Sequence, residues 1–278
     1  MSDPASGALR SLRIERSEHV VEVVLIGPGK GNAMGPDFWR ELPKVFAEID
    51  GDERVRCAIV RGEGGQFSYG LDLKGMISEL GPLIMGESLA LQRTKLLRLI
   101  GELQGAFEAV SRCRVPVIAA IEGWCIGGGV DLITACDVRL AAESARFSVR
   151  EVKVAMVADL GSLQRLPRIV GDGHARELAL TGKDIDAARA LRIGLVNDVL
   201  HTPDALLDAA RSMALEIAGN PPLVVSGIKA VMNDCAGKSV AEGLRHVALW
   251  NSAFLQSQDL GEAFAAFAGK RPAKFEGR

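Results

Sequence analysis

The chain has 278 residues, 48% of them hydrophobic and 24% charged, with a formal net charge of -2. That length and apolar fraction are enough for a substantial buried core, and the near-neutral balance excludes a general electrostatic pull toward nucleic acid or an anionic membrane. Five scattered cysteines (Cys57, Cys113, Cys125, Cys136, Cys235) include no C-x-x-C pair, so neither a disulfide framework nor a zinc site is expected, and a reducing compartment fits.

Met1 to Arg10 lack the apolar stretch of a signal peptide, and no segment approaches the roughly 20 apolar residues that span a bilayer. Phe275-Glu276-Gly277-Arg278 is not a peroxisomal address. These features predict a cytoplasmic protein with no membrane partner.

In chain order, two β-rich runs, Leu12 to Glu15 and Val20 to Ile26, flank a polar turn and predict a hairpin. A Gly/Asn loop, 27–35, leads into a helical pattern carrying Phe38, Leu42, Val45, Phe46 and Ile49, and Cys57 to Val60 follows as a buried strand. After the loop 62–72, the segment from about Gly86 to Arg112 spaces Leu96, Ile100, Leu103, Phe107 and Val110 as an amphipathic helix. Val115 to Ile121 reads as a strand, Gly123 to Asp137 as a strand-to-helix turn, and Val138 to Ala142 and Arg146 to Val149 as short strands. This alternation predicts an α/β fold with parallel strands. Beyond Pro203 the patterns at 205–218, 223–233, 240–255 and 260–268 are all helical, with more apolar positions than surface helices need, so part of that surface is expected to face the core or another subunit.

Of the glycine-rich stretches, Gly27-Pro-Gly-Lys-Gly31 matches no phosphate-loop spacing and reads as a turn. Cys125-Ile-Gly-Gly-Gly-Val-Asp-Leu132 is the sharper signal. Three glycines after a buried strand cost backbone entropy, but they let a ligand reach the unpaired N–H groups of a helix N-terminus; close helix–sheet packing is the alternative. A second loop, Gly64-Gly-Gln-Phe-Ser-Tyr-Gly-Leu-Asp-Leu73, reads alone as a turn. Together the two loops are able to present the pair of N–H donors that a thioester carbonyl needs on becoming an enolate. The four histidines have no metal-like spacing and lie outside both loops, and Ser68 and Ser148 lack a nucleophile context.

These two loops, with Asn32-Ala33-Met34 before the first long helix, resemble the crotonase (enoyl-CoA hydratase/isomerase) superfamily in order and separation, over roughly Leu12 to Ala268. Trp39-Arg40, Cys125 through Asp137, Ala158-Asp-Leu-Gly-Ser-Leu-Gln-Arg-Leu-Pro167 and Trp250-Asn251 are similar to its dienoyl-CoA isomerase branch. The resemblance implies a crotonase-like spiral of ββα units over residues 1–202, and a helical C-terminal trimerisation region, 203–278, that completes part of the CoA site. It implies a homo-oligomer, a trimer or a dimer of trimers, acting on an acyl-CoA thioester with no cofactor and no metal, coenzyme A being part of the substrate. The oxyanion hole would use the N–H groups of Leu71 and Gly128. Gly70, Leu71, Asp72, Leu73, Lys74 and Gly129 would line the acyl-CoA channel, with Tyr69 standing where the family often has a small residue.

The acid/base positions implied by the resemblance fall on Asp131, Glu151 and Asp159. Each also has a plainer reading: Asp131 as a first-turn helix acid, Asp159 as a helix N-cap, and Glu151 as a solvated ion-pair partner of Arg150 or Lys153. Taken jointly, one ionised and one protonated carboxyl suit a 3,5-dienoyl-CoA to 2,4-dienoyl-CoA isomerase, with Asp131 tuning the other two. An enoyl-CoA hydratase is the alternative. It uses two glutamates to hold a water, and Asp131 is shorter by one methylene, roughly 1.5 Å. An RNA-binding or structural role on the same fold would call for a basic stripe, and the only dense basic cluster is Lys270 to Lys274.

Overall fold

The computed structural model describes residues 9–28, 31–85 and 89–278. Gly29 and Lys30 of the predicted turn, and the first residues of the helix expected from Gly86, lie outside the described residues. The chain runs β1 (Leu12–Ser17), β2 (Val20–Leu25), α1 (Pro36–Gly51), β3 (Cys57–Gly62), α2 (Ile77–Ile84) and α3 (Ala90–Arg112). Then come β4 (Val117–Ile121), β5 (Trp124–Ile126), α4 (Gly128–Ala135), β6 (Val138–Ala142), β7 (Arg146–Ser148) and a 3₁₀ turn (Glu151–Val154). The remainder is α5 (Ser162–Val170), α6 (Asp172–Thr181), β8 (Ile185–Asp186), α7 (Ala187–Arg192), β9 (Asp198–Leu200), α8 (Pro203–Ala218), α9 (Pro222–Asp234), α10 (Val240–Phe254) and α11 (Gln258–Ala268).

The predicted hairpin forms, with Leu12 opposite Leu25 and Ser17 opposite Val20. From β2 onward the main sheet is parallel, in the order β1-β2-β3-β4-β6-β9. Apart from Glu22, Arg61 and Arg139, its inner strands are apolar on both faces, as a parallel sheet covered on both sides requires. Successive residues divide between two cores: Ala58 and Val60 of β3, with Val117, Ala119 and Ile121 of β4, join the cluster that includes α1 and α3. Cys57, Ile59, Ile118 and Ala120 join the opposite cluster, closed by Leu206, Ala210 and Ala214 of α8. The helical region from 203 therefore begins with a helix that covers the sheet. Past it, none of the 15 residues of α10 is buried, while α9 is pinned by Lys229, whose Nζ lies 2.7 Å from Asp137 Oδ2 and donates to Val115 O.

The smaller sheet, β5-β7-β8, stands at the mouth of the larger one and carries the glycine-rich turn. The tail folds back: the Asp259 carboxylate accepts the N–H groups of Glu276 and Gly277 at 2.8 and 2.9 Å. Within the basic cluster, Arg271 is committed to Glu262 by two hydrogen bonds of 2.6 and 2.8 Å.

Candidate active site

The loop after β3 is drawn alongside β5, because Ser68 N–H donates to Trp124 O and Ile126 N–H to Ser68 O, both at 2.9 Å. Asn32 locks its other side: Nδ2 donates to Glu63 O and Gln66 O at 2.9 and 2.8 Å, and Asn32 O accepts from Ser68 Oγ at 2.9 Å. Met34 N–H donates to Gly70 O and Met34 O accepts from Asp72 N–H, a parallel bridge that turns Leu71 N–H to the opposite side, toward α4. There it meets Gly128 N–H. A methyl on Gly128 would lie 3.7 Å from Leu71 N, and one on Gly70 would lie 2.9 Å from Gly128 N. Neither N–H makes a hydrogen bond among the described residues, and Gly128, as the first residue of α4, has no intrahelical partner to give to. Two free donors thus converge beside a helix N-terminus, a place that favours developing negative charge.

Gly127 makes the turn into α4 at φ 52° and ψ -116°, a conformation open to glycine at little cost. Its bare Cα also admits Glu151: a methyl there would lie 3.0 Å from Glu151 Oε1. Glu151 opens the 3₁₀ turn and is not the solvated ion-pair partner of the plainer reading. Arg150 instead pairs with Asp184 and lies 5.9 Å from the Trp124 ring centroid. Glu151 Oε2 is buried with no hydrogen-bond partner among the described residues. Burial, and then the neighbouring Asp131 charge, push its pKa up to about 7.

Asp131, 1% exposed, accepts the Ser162 N–H on Oδ1 at 2.6 Å. Burial raises its carboxyl to about 6 against the lowering effect of that hydrogen bond. Asp159 lies on the loop between the 3₁₀ turn and α5, exposed at the residue level, and partial desolvation raises its pKa. It is not an N-cap, since Gly161 holds that position. The three carboxyls feel one another: Asp131 and Asp159 both raise Glu151, and Asp159 raises Asp131. A cavity of about 360 Å³ opens from Glu151 between the 3₁₀ turn and α5–α6, with Val149, Met156, Ala158, Leu166 and Leu180 in its wall.

The other expected channel residues separate. Leu73 and Lys74 are exposed beside Leu71. Asp72 turns inward, its Oδ1 accepting Gly75 N–H at 3.0 Å, and Gly129 packs against Ser68 and Cys125. The half-buried Tyr69 rests its ring on Gly31, where a methyl would lie 2.6 Å from it. Ser162 was not foreseen: its contribution is a backbone N–H at a helix start, which side-chain chemistry does not reveal.

Two free N–H groups beside a helix N-terminus, with three carboxyls near enough to shift one another, are the features that this fold brings together. A family model described as enoyl-CoA hydratase/isomerase matches residues 15–278, and the chain belongs to that family. Among its relatives, the mitochondrial Delta(3,5)-Delta(2,4)-dienoyl-CoA isomerase of Dictyostelium discoideum is 46% identical over 95% of this chain and 91% of that protein. The peroxisomal enzyme of the same name from Arabidopsis thaliana is 42% identical over 96% of each. The human mitochondrial one is 42% identical over 92% of this chain and 78% of its own length. The crystal structure of an enoyl-CoA hydratase from Bacillus anthracis superposes with a TM-score of 0.88 at 30% identity, covering 97% of this chain and 100% of that one.

These relatives contradict the cytoplasmic expectation, being named as mitochondrial and peroxisomal proteins. The expectation rested on the lack of an apolar run and of a C-terminal peroxisomal address. Organelle import is also directed by amphipathic, arginine-rich segments that need neither. Among the described residues, no helix is long and apolar enough to cross a membrane.

Proposed function

We propose that the protein isomerises 3,5-dienoyl-CoA to 2,4-dienoyl-CoA, and that Glu151, Asp159 and Asp131 carry the proton shift. The observation that carries this reading is the unpartnered, buried Glu151 carboxyl oxygen beside Gly127, the residue before one of the two free N–H groups. Glu151, with a pKa near neutrality, removes a proton from carbon 2. The electrons move into the thioester oxygen, held by the N–H groups of Leu71 and Gly128, where losing one donor typically costs roughly 100- to 1,000-fold in rate. Asp159 delivers a proton to carbon 6 as the dienolate collapses, and the two carboxyls reset through solvent. Asp131 keeps the pKa values of the pair apart.

The Asp131 geometry disfavours hydration: its carboxylate is drawn to Ser162 N–H and sealed from solvent, so it is badly placed to hold an attacking water with Glu151. The relatives' names support the isomerase. Gly70 to Lys74 and Gly129 form or back the thioester end of the channel, and the apolar cavity beyond Glu151 takes the distal acyl chain. The mechanism calls on no metal or redox group, and coenzyme A arrives with the substrate.

We infer that the protein works as a homo-oligomer, a trimer or a dimer of trimers, with residues 1–202 as catalytic core and 203–278 as assembly region. Val240, Leu244, Leu249, Phe264 and Phe267 are 63–86% exposed on α10 and α11, more apolar surface than a lone subunit usually leaves in water. Incubation with a 3,5-dienoyl-CoA and, separately, a 2-enoyl-CoA tests the function. Near-UV absorbance is expected to rise with the diene and to stay unchanged with Asp159→Asn; hydration of the enoyl substrate without diene turnover would establish a hydratase instead.

A further inference from the structure

The acid proposed at Asp159 stands on an exposed loop, a setting that ordinarily moves on the nanosecond to microsecond scale. A proton donor must meet carbon 6 while Glu151 addresses carbon 2 of the same planar dienolate, so the span between the two carboxyls has to be fixed. Loops alone fix geometry poorly.

In this chain the loop is gripped from α3. Gln104 Nε2 donates to Asp159 O at 2.6 Å. One turn along the same helix face, Glu108 pairs with Arg165 of α5. The Arg165 guanidinium lies against the loop itself: a methyl on Gly161 would collide with Nη1, and Nη1 reaches Leu160 O at 3.5 Å. Its side chain is 18% exposed. The following residue, Ser162, is the one whose N–H holds Asp131. The segment is therefore tied at 159 to Gln104, at 160–161 to Arg165 and through it to Glu108, and at 162 to Asp131.

We propose that Gln104, Glu108 and Arg165 are positioning residues for the isomerisation, a clamp by which α3 sets the separation of Asp159 from Glu151. The proposal rests on the isomerase reading above. The clamp touches neither the oxyanion donors nor Glu151, and its one link to the base runs through Ser162 and Asp131, so it bears chiefly on the second proton transfer.

The test uses the full-length protein with 3,5-dienoyl-CoA in D₂O and follows two rates: conversion to the 2,4-diene, and exchange of the carbon 2 hydrogens in recovered substrate. For Arg165→Met, kcat for conversion is expected to fall roughly 10- to 100-fold, the effect of displacing a catalytic group by about 1 Å. KM and carbon 2 exchange stay within about twofold of wild type. Gln104→Leu shifts the same ratio in the same direction, and adding Glu108→Gln to Arg165→Met has no further effect, because the two act as one unit. If Arg165→Met does not fold, Gln104→Leu and Glu108→Gln, at solvent-facing positions of α3, decide the matter. Conversion unchanged in the folded variants, or conversion and exchange falling in parallel, overturns the clamp. A wild-type protein that exchanges nothing and converts no diene overturns the isomerase reading itself.

Discussion

Replacing Glu151 with glutamine should make the protein more stable above neutrality while disabling it. The Glu151 carboxyl moves from an ordinary 4.5 to about 7 on folding, so the folded state holds the proton more tightly than the unfolded chain. That difference corresponds to roughly 3 kcal/mol at about 1.36 kcal/mol per pH unit. This stabilisation is complete below the unfolded value of 4.5 and is lost as pH rises through about 7. Above that, the fold carries an ionised carboxylate whose Oε2 has no donor. Glutamine removes the charge but buries an amide, at a cost of about 1–3 kcal/mol if it finds no partner. The signature is therefore a slope: the stability of Glu151→Gln relative to wild type should climb by about 2–3 kcal/mol between about pH 5 and about pH 8. Urea unfolding at fixed protomer concentration, read by circular dichroism, measures it. A stability difference that stays flat over that range would refute the desolvated carboxylate and with it the proposed base. In the same variant kcat should drop by roughly 100- to 10,000-fold.

Because Glu151 must be ionised to accept a proton, kcat/KM should rise through an acid limb near 7; a profile already level from about pH 5 would place the base elsewhere. Gly127→Ala puts a methyl 3.0 Å from Glu151 Oε1 at φ 52°, so it should cost about 1–3 kcal/mol of stability and at least roughly tenfold in kcat, measured by urea titration and diene turnover. Lys229→Met leaves Asp137 without the partner now 2.7 Å away. It should destabilise by about 3 kcal/mol with kcat per folded enzyme unchanged, and a kcat loss without a stability loss would contradict a purely structural pair.

The parts of the fold that face a core could be read from the chain. Phe38, Leu42, Val45, Phe46 and Ile49 are all buried along α1, and the apolar runs at Cys57 and Val117 became inner strands, because burial on one or two faces leaves a period in the sequence. The elements that escaped notice leave none. The helix α2 has no buried residue and contains Pro82, and β8 and β9 have 2 and 3 residues, too few for an alternation to show. The helices α5 to α7 have 9, 10 and 6 residues, too few for a helical period to stand out.

Within the site, the glycine turn and the two donor loops were legible because glycine at a helix start is costly without a use. Glu151 was ambiguous, since Arg150 and Lys153 beside it in sequence suggested an ion pair. The structure sends Arg150 to Asp184, a choice made by residues far along the chain. Asp159 illustrates the converse. The apolar residues Val154, Met156 and Val157 precede it in sequence, but all three are 41–76% exposed, and the desolvation it feels is only partial. Arg165, the centre of the clamp on its loop, showed only as one cation within the stretch from Ala158 to Pro167.

In the proposed reaction a proton leaves carbon 2 and another arrives at carbon 6 without water addition. Turnover of 3,5-dienoyl-CoA in D₂O, with the product's deuterium located by NMR, tests this directly. The expected product is a 2,4-diene bearing deuterium at carbon 6 and no added oxygen. A 3,5-dienoyl-CoA returned unconverted, while a 2-enoyl-CoA gives a 3-hydroxy product with deuterium at carbon 2, would show that the same carboxylates activate water and that the protein is a hydratase.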